Sequence, residues 1–185
     1  MKVFMMKKQA LHDELEQALF LGSATHCAAD IYSVDGGSSP QLMAEVCRLR
    51  KESYAGVGVA LDDGVNGDDA DRDGTYRQLV VWDRKCGEIM GGYRYSVGRD
   101  ASVERLSLSR YMLLSERFVR EYLPRGIELG RSFVSPRYQS GGAALTIYAL
   151  DALWEGLARV VKRESAEYLF NMIYSSLGSN KSIYW

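Results

Sequence analysis

Apolar positions recur along this chain with two periods. A spacing of three and four marks helices; a spacing of two, or a short continuous apolar run, marks strands. Leu11, Leu15, Ala18 and Leu19 share one side of a helix predicted over 8–21, with Gly22 as its stop. ATHCAADIYSV, residues 24–34, reads as a strand. It runs into the turn cluster 35–40, where Ser38 or Ser39 can cap a second helix with Pro40 in its first turn. That helix, over 40–54, sets Met43, Val46, Cys47 and Tyr54 near one face. YRQLVVWD (76–83) and EIMGGYRYSV (88–97) form a hairpin about the turn 83–87. LSLSRYMLLSERFVREYL (106–123) reads as one helix closed by Pro124 and Gly126, followed by the strand IELGRSFVSP (127–136). A long helix over 142–161 has Leu145, Tyr148, Leu153, Leu157 and Val160 as core, and AEYLFNMIYS (166–175) is a last strand. The alternation predicts a mixed α/β fold in one domain spanning 1–185.

One stretch has neither period. GVALDDGVNGDDADRDG, residues 58–74, is acidic and glycine-rich, and loops of that length are functional or disordered. Its DADRDG lacks the terminal bidentate Glu of a calcium loop, so no metal is expected there.

Composition narrows the classes. At 46% hydrophobic and 25% charged residues, the chain is ordinary for a globular protein. A net charge of -1 gives no global field for nucleic acid or anionic membrane, and no nucleic-acid partner is expected. The three cysteines, Cys27, Cys47 and Cys86, are odd in number and form no CxxC pair, which fits reduced cytosolic thiols. The N-terminal MKVFMMKKQALHDELEQ turns acidic before any apolar core of a signal peptide forms. No apolar run is long enough to span a bilayer, so a cytoplasmic protein is expected, with room for peripheral membrane contact.

The chemistry concentrates in ELGRSFVSPRYQSGGAALTIYALDALWEGL, residues 128–157. Here a strand carrying Glu128, Arg131 and Ser132 leads through a glycine pair into an amphipathic helix. Gln139, Gly142 and Ala144 stand as Q-x-x-G-x-A, with Ser140, Gly141 and Ala143 between them. Glycine lets the backbone approach a phosphate, and the amides and dipole at the helix start bind the anion. An ordinary loop and helix start fits the short pattern equally well. Both histidines, His12 and His26, lie far upstream, so a Ser-His-Asp arrangement has no support, and Cys86 lies in a turn.

The motifs RLRKESY from Arg48, YRQLVVWD, GGYRY, EYLPRGIELGRSFV, LDALWEGL and EYLF, in this order, resemble one branch of the GNAT acyltransferase superfamily. That branch holds acyl-homoserine-lactone synthases and acyl-carrier-protein-dependent amino-acid N-acyltransferases, some labelled haemolysins; the likeness is nearest to Bacteroidetes enzymes thought to make N-acylglycine lipids. The resemblance implies a GNAT-like mixed twisted sheet flanked by helices. It implies transfer of a (3-hydroxy)fatty acyl group from an acyl-carrier-protein phosphopantetheine thioester, or from acyl-CoA, to a small amino acid such as glycine, with no resident cofactor. Alternatives are a non-catalytic GNAT domain that binds a carrier protein or membrane, and an acyl-homoserine-lactone-synthase-like or acyl-CoA-dependent acetyltransferase. By the same resemblance Glu128 is a base or acceptor-positioning group, or else part of a structural ion pair with Arg131 or Arg94. Arg94 and Arg131 bind the acceptor's carboxylate or clamp the acidic loop. Arg50 serves that network or the carrier's phosphate. The loop acids align as Asn66, Asp68 and Asp71, with Asp69 and Asp73 as rivals. Ser132, Phe133 and Val134 line the substrate site, and 139–144 hold the donor's phosphate. Arg137, with Arg110, Arg117 and Arg120, is expected to steer an acidic carrier protein. The branch continues past the EYLF strand with further helix and sheet, so a shortened C-terminal part is expected.

Overall fold

The structure, a computed structural model, describes residues 2–60, 67, 69–140 and 142–171, with side chains from residue 6 onward. Six strands line up in chain order in one sheet: β1 Leu19–Ser23, β2 Ala29–Asp35, β3 Arg77–Asp83, β4 Glu88–Val97, β5 Gly126–Val134 and β6 Tyr168–Asn171. The helices are α1 Lys2–Glu16, α2 Pro40–Gly56, α3 Asp69–Arg72, α4 Ser107–Tyr111, α5 Pro136–Ser140 and α6 Ala143–Glu164. Neighbouring strands are antiparallel except β5 and β6, which run parallel. A parallel pair needs a long crossover, and α6 supplies it.

Alternation along the strands divides the core in two. Ile31, Leu79, Val81, Met90, Ile127 and Leu129 pack against Leu153, Leu157 and Val160 of α6. On the other face Val34, Val80, Trp82, Ile89 and Phe133 meet Leu11 and Leu15 of α1 and Leu42, Val46 and Leu49 of α2. Helices on both faces explain why β3 is an almost unbroken apolar run rather than an alternating one.

Several elements differ from the pattern-based expectation. The helix expected over 8–21 is two elements: α1 ends at Glu16, and Leu19, Phe20 and Leu21 belong to the edge strand β1. The spacing of Leu15 and Leu19 fits either period, so the pattern could not separate them. The strand expected from residue 24 begins at Ala29. The span 106–123 is not one helix. After α4 an extended link leads to a π-helical turn at Phe118–Tyr122 and a 3₁₀ turn at Leu123–Arg125. Leu113 in that link is fully exposed, so its apolar run has no surface to pack on. Strand β5 stops at Val134, and Pro136 opens α5. In α6 the packed face begins only at Ala149; Leu145 and Tyr148, expected as core, are 40% and 43% exposed.

The acidic loop contains α3, which rests on the turn before α2. A Cβ on Gly36 would stand 2.0 Å from the Asp71 carbonyl oxygen, so only glycine lets the two backbones meet there. The rest of that loop, 61–66 and 68, and everything past Asn171, where further strand and a shortened C-terminus were expected, lie outside the described residues. Among the described residues no helix is long and apolar enough to cross a membrane.

Candidate active site

Three strands deliver polar side chains to the α2 face near one end of the sheet. Register pairs Gln78 with Arg94 and Arg94 with Gly130, and two residues along it pairs Ser96 with Glu128. Arg50 arrives from α2 and Asp71 from α3. Asp71 is the hub. Its Oδ2 accepts from Arg50 Nη1 at 3.3 Å, and its Oδ1 accepts from Gln78 Nε2 at 2.8 Å and Arg94 Nη1 at 3.5 Å. Gln78 Oε1 accepts from Arg50 Nη2 at 2.9 Å. Arg50, Asp71, Arg94 and Glu128 are all buried, and two cations face two carboxylates. Such balance is what makes buried charge tolerable, because each desolvated ion costs several kcal/mol by itself.

Glu128 is held from two sides. Oε2 accepts the Tyr76 hydroxyl at 2.6 Å, and Oε1 accepts the Leu108 amide at 2.7 Å. Burial pushes this carboxyl up from its ordinary range, while the Tyr76 hydroxyl, the Leu108 amide and the Arg94 charge pull it partly back. Tyr76 Oη accepts the Ser107 amide at 2.7 Å and lies 3.1 Å from Ser107 Oγ. The Arg94 guanidinium covers the Tyr76 ring at 4.2 Å and donates to Ser107 Oγ at 2.5 Å. Among the described residues Glu128 forms no direct ion pair with Arg94 or Arg131.

A second feature lies further along β5. Between the pairs Arg94–Gly130 and Gly92–Phe133, β4 contributes one residue, Tyr93, and β5 two, Arg131 and Ser132. This is a β-bulge. It places Arg131 at φ 52, in the left-handed region that residues other than glycine seldom occupy. Past the bulge, Ser132, Phe133 and Val134 face a cleft of about 400 Å³, closed by Tyr93, by Ser53 and Tyr54 of α2, and by Thr146, Leu150 and Leu153 of α6. Gln139 joins this wall and donates to Ser53 Oγ at 2.7 Å. At its rim Gly142, φ 98 and ψ 154, precedes the first turn of α6, and Ser140, Ala143 and Ala144 are exposed. Amides at a helix start lack intrahelical acceptors, so this rim presents donors and the positive dipole end of a 22-residue helix.

The residues singled out in the sequence thus separate into two groups. Glu128, Arg94, Arg50 and Asp71 join in one buried cluster. Ser132, Phe133, Val134 and Gln139 border one cleft, and Gly142 lies one helical turn before Thr146 of its wall, with Ser140, Ala143 and Ala144 near it in the chain. Arg131 lies between the two, half-buried, its charge felt at the Cys47 thiol, which burial raises. Asn66, Asp68 and Gly141 lie outside the described residues. Two of the arginines named with Arg137 stand at the other end of β5. Arg137 follows the end of β5 and binds Glu88 at 2.7 Å, whereas Arg117 and Arg120 lie in the turns that lead into its start. Nine strand residues, about 30 Å at ~3.3 Å each, separate them. Arg117 and Arg120 pair with Glu121. Tyr76, Gln78, Ser107 and Tyr93 were not foreseen. Only Gln78 carried a signal, as a lone polar residue beside the apolar run of β3.

Residues 49–149 match the family described as an acetyltransferase (GNAT) domain. The chain is 35% identical over 176 residues to a glycine N(alpha)-acyltransferase of Bacteroides thetaiotaomicron, and 35% identical over 173 residues to one of Phocaeicola vulgatus. These alignments take in 91% and 89% of this chain but 52% and 53% of those proteins, so the chain spans about half the length of the curated relatives it matches. Among solved structures, a GNAT family acetyltransferase from Brucella melitensis in complex with acetyl-CoA is similar at a TM-score of 0.48 and 18% identity, over 82% of this chain and 80% of that one. With more than half of its residues inside the family match, the chain belongs to the GNAT acetyltransferases.

Proposed function

We propose that this protein is an N-acyltransferase that moves a fatty acyl group, taken as a 3-hydroxyacyl chain, from an acyl-carrier-protein thioester to the amine of a small amino acid such as glycine. The observation that carries the reading is the bulge at Arg131 and Ser132, which opens a largely apolar cleft beside the exposed first turn of α6. An apolar cleft ending at anion-binding amides suits an acyl thioester on a phosphopantetheine arm. The curated relatives' names support the amine acceptor. Such a product is an amphiphile, which fits a role in amino-acid lipid synthesis by a cytoplasmic enzyme.

In this reading the amine attacks the thioester carbonyl directly, in one ternary complex. The carbon–nitrogen bond forms as the carbon–sulfur bond breaks, and backbone amides at the bulge polarise the carbonyl oxygen. Arg131, lifted out of the strand's pleat, takes the acceptor carboxylate, and Glu128 is the final proton acceptor, its basicity raised by burial. Arg50, Arg94 and Asp71 keep that end of the sheet in place. The test is acyl transfer to glycine from acyl-carrier protein and from acyl-CoA of equal chain length, at low and high salt. Faster transfer from the carrier, weakening with salt, is expected, since steering of an acidic partner is screened over about 10 Å at 0.1 M. Equal, salt-independent rates remove the carrier protein; no acylation with either donor removes the reading.

A further inference from the structure

Glu128 is 2% exposed, and both its oxygens already accept hydrogen bonds. A proton acceptor must come within hydrogen-bond reach of the proton it takes, directly or through an intermediary. The incoming amine cannot reach this carboxylate where it lies. The hydrogen-bonded groups around it do lead outward. Tyr76 Oη stands 2.6 Å from Glu128 Oε2 and 3.1 Å from Ser107 Oγ. Tyr76 is itself 1% exposed. Ser107, the first residue of α4, is half-buried, and among the described residues of this hydrogen-bonded set it alone is not fully enclosed: Arg50, Asp71, Gln78 and Arg94 are all at 3% or less. Burial and the neighbouring Glu128 carboxylate push the Tyr76 phenol upward, so it stays a donor at every working pH.

We propose that Ser107 and Tyr76 form a proton relay that connects the acceptor amine to Glu128. The relay rests on the acyl-transfer reading and assigns two residues to it. As nitrogen bonds to the carbonyl carbon, the sulfur leaves with the carbon–sulfur electron pair. The nitrogen gives a proton to Ser107 Oγ, the Ser107 hydroxyl proton passes to Tyr76 Oη, and the Tyr76 proton passes to Glu128 Oε2. Glu128 ends as the carboxylic acid and returns its proton to solvent by the reverse path, and the thiolate takes one from water. Arg94 keeps the path aligned: its Nη2 donates to Ser107 Oγ at 2.5 Å and its guanidinium lies over the tyrosine ring; because Tyr76 gives its one proton to Glu128, passage along the path has the Ser107 hydroxyl rotate to donate to Tyr76 Oη. Charge developing on the serine oxygen is stabilised by the same guanidinium.

The experiment uses the full chain, glycine and an acyl thioester it accepts. Tyr76→Phe removes one oxygen and keeps the ring under Arg94. Its kcat should fall about 100-fold, with KM for glycine unchanged. Glu128→Gln should fall comparably, and the double variant should be no slower than either single one, because a path cut once is already cut. Ser107→Ala, at a half-buried position, removes the hydroxyl but keeps the backbone amide that acts on Glu128, so it should lower kcat without moving the titration of Glu128. Tyr76→Phe should move the midpoint of Glu128, followed by carboxyl NMR, upward, since it removes a hydrogen bond to the charged form. Multiplying losses in the double variant, or full kcat in Tyr76→Phe, overturns the relay. A wild-type chain that acylates no glycine overturns the functional reading instead. In either case an unmoved midpoint in Tyr76→Phe overturns the relay by itself.

Discussion

The buried cluster and the open cleft meet along β5, yet they are built by different means. The cluster is assembled from side chains: Arg50, Asp71, Tyr76, Gln78, Arg94, Ser107 and Glu128 come from six elements and one loop and bond chiefly to one another. The cleft is largely the work of one continuous stretch, from the bulge at Arg131 to Leu153. In the cluster, what matters is which side chain stands at each position. In the cleft, what matters is the path of the chain, held by two residues at positive φ, Arg131 and Gly142. In the proposed acyl transfer, the sealed cluster positions and tunes, and the open backbone edge binds.

The sharpest way to break this contrast is to remove the hub of the cluster. Asp71→Ala leaves two buried guanidiniums facing each other without their shared carboxylate, and should cost about 3–5 kcal/mol of stability. Urea unfolding measures it. A loss near zero would mean that water reaches the cluster, and the distinction between sealed and open would fall.

The corresponding change in the cleft is Gly142→Ala. At φ 98 and ψ 154 the backbone occupies a region essentially reserved for glycine, so the added Cβ should cost about 1–3 kcal/mol, although the space around it is open. The chain relieves that strain by turning the first amides of α6, so KM for the acyl donor should rise while KM for glycine holds. A donor KM that does not move would show that the turn is not where the donor's phosphate sits.

This same contrast explains what could be read from the sequence. The cleft was legible because its parts are adjacent in the chain: a strand, Q-x-x-G-x-A, then a helix with Leu153, Leu157 and Val160 on its packed side. The helix start at Gly142 follows from pattern and glycine chemistry together. The cluster was only half legible. Glu128, Arg94, Arg50 and Asp71 came from likeness to a family, and nothing local announced that Tyr76 and Ser107 would reach them. Those two sit at the flanks of elements, where the register of β3 against β4 and the unwound segment after α4 decide the outcome. Leu145 and Tyr148 failed for a related reason: they carry the right spacing on α6, but periodicity cannot tell how far the surface beneath a helix extends.

Acid and base separate the two regions again. Burial raises Glu128 in the folded state, so the folded protein holds its proton more tightly than the unfolded chain does. Its contribution to stability is therefore fully present at low pH and is lost as pH rises from the ordinary carboxyl range through the raised folded value. Glu128→Gln, which carries no such charge, should gain in Tm relative to wild type between pH 4 and pH 8, even as activity falls. A difference in Tm that stays constant across that range would mean that Glu128 is not desolvated.

The smallest effect is expected at Ser132, and it tests the backbone half of the contrast most directly. Its side chain is exposed at the bulge, and no hydrogen bond to its hydroxyl is seen among the described residues. If the cleft works through its main chain, Ser132→Ala removes nothing that the donor needs. Stability should then stay within about 0.5 kcal/mol of wild type, and kcat/KM for the acyl donor within about twofold, the same free energy expressed as a rate. Exposed single-atom changes away from caps, cavities and strained positions usually behave this way. Here the strain sits on the neighbouring Arg131, and alanine at 132 leaves that φ as it is. A tenfold loss in kcat/KM with unchanged Tm would instead assign the hydroxyl to the acyl donor. The bulge would then have to be understood as presenting a side chain as well as bending a strand.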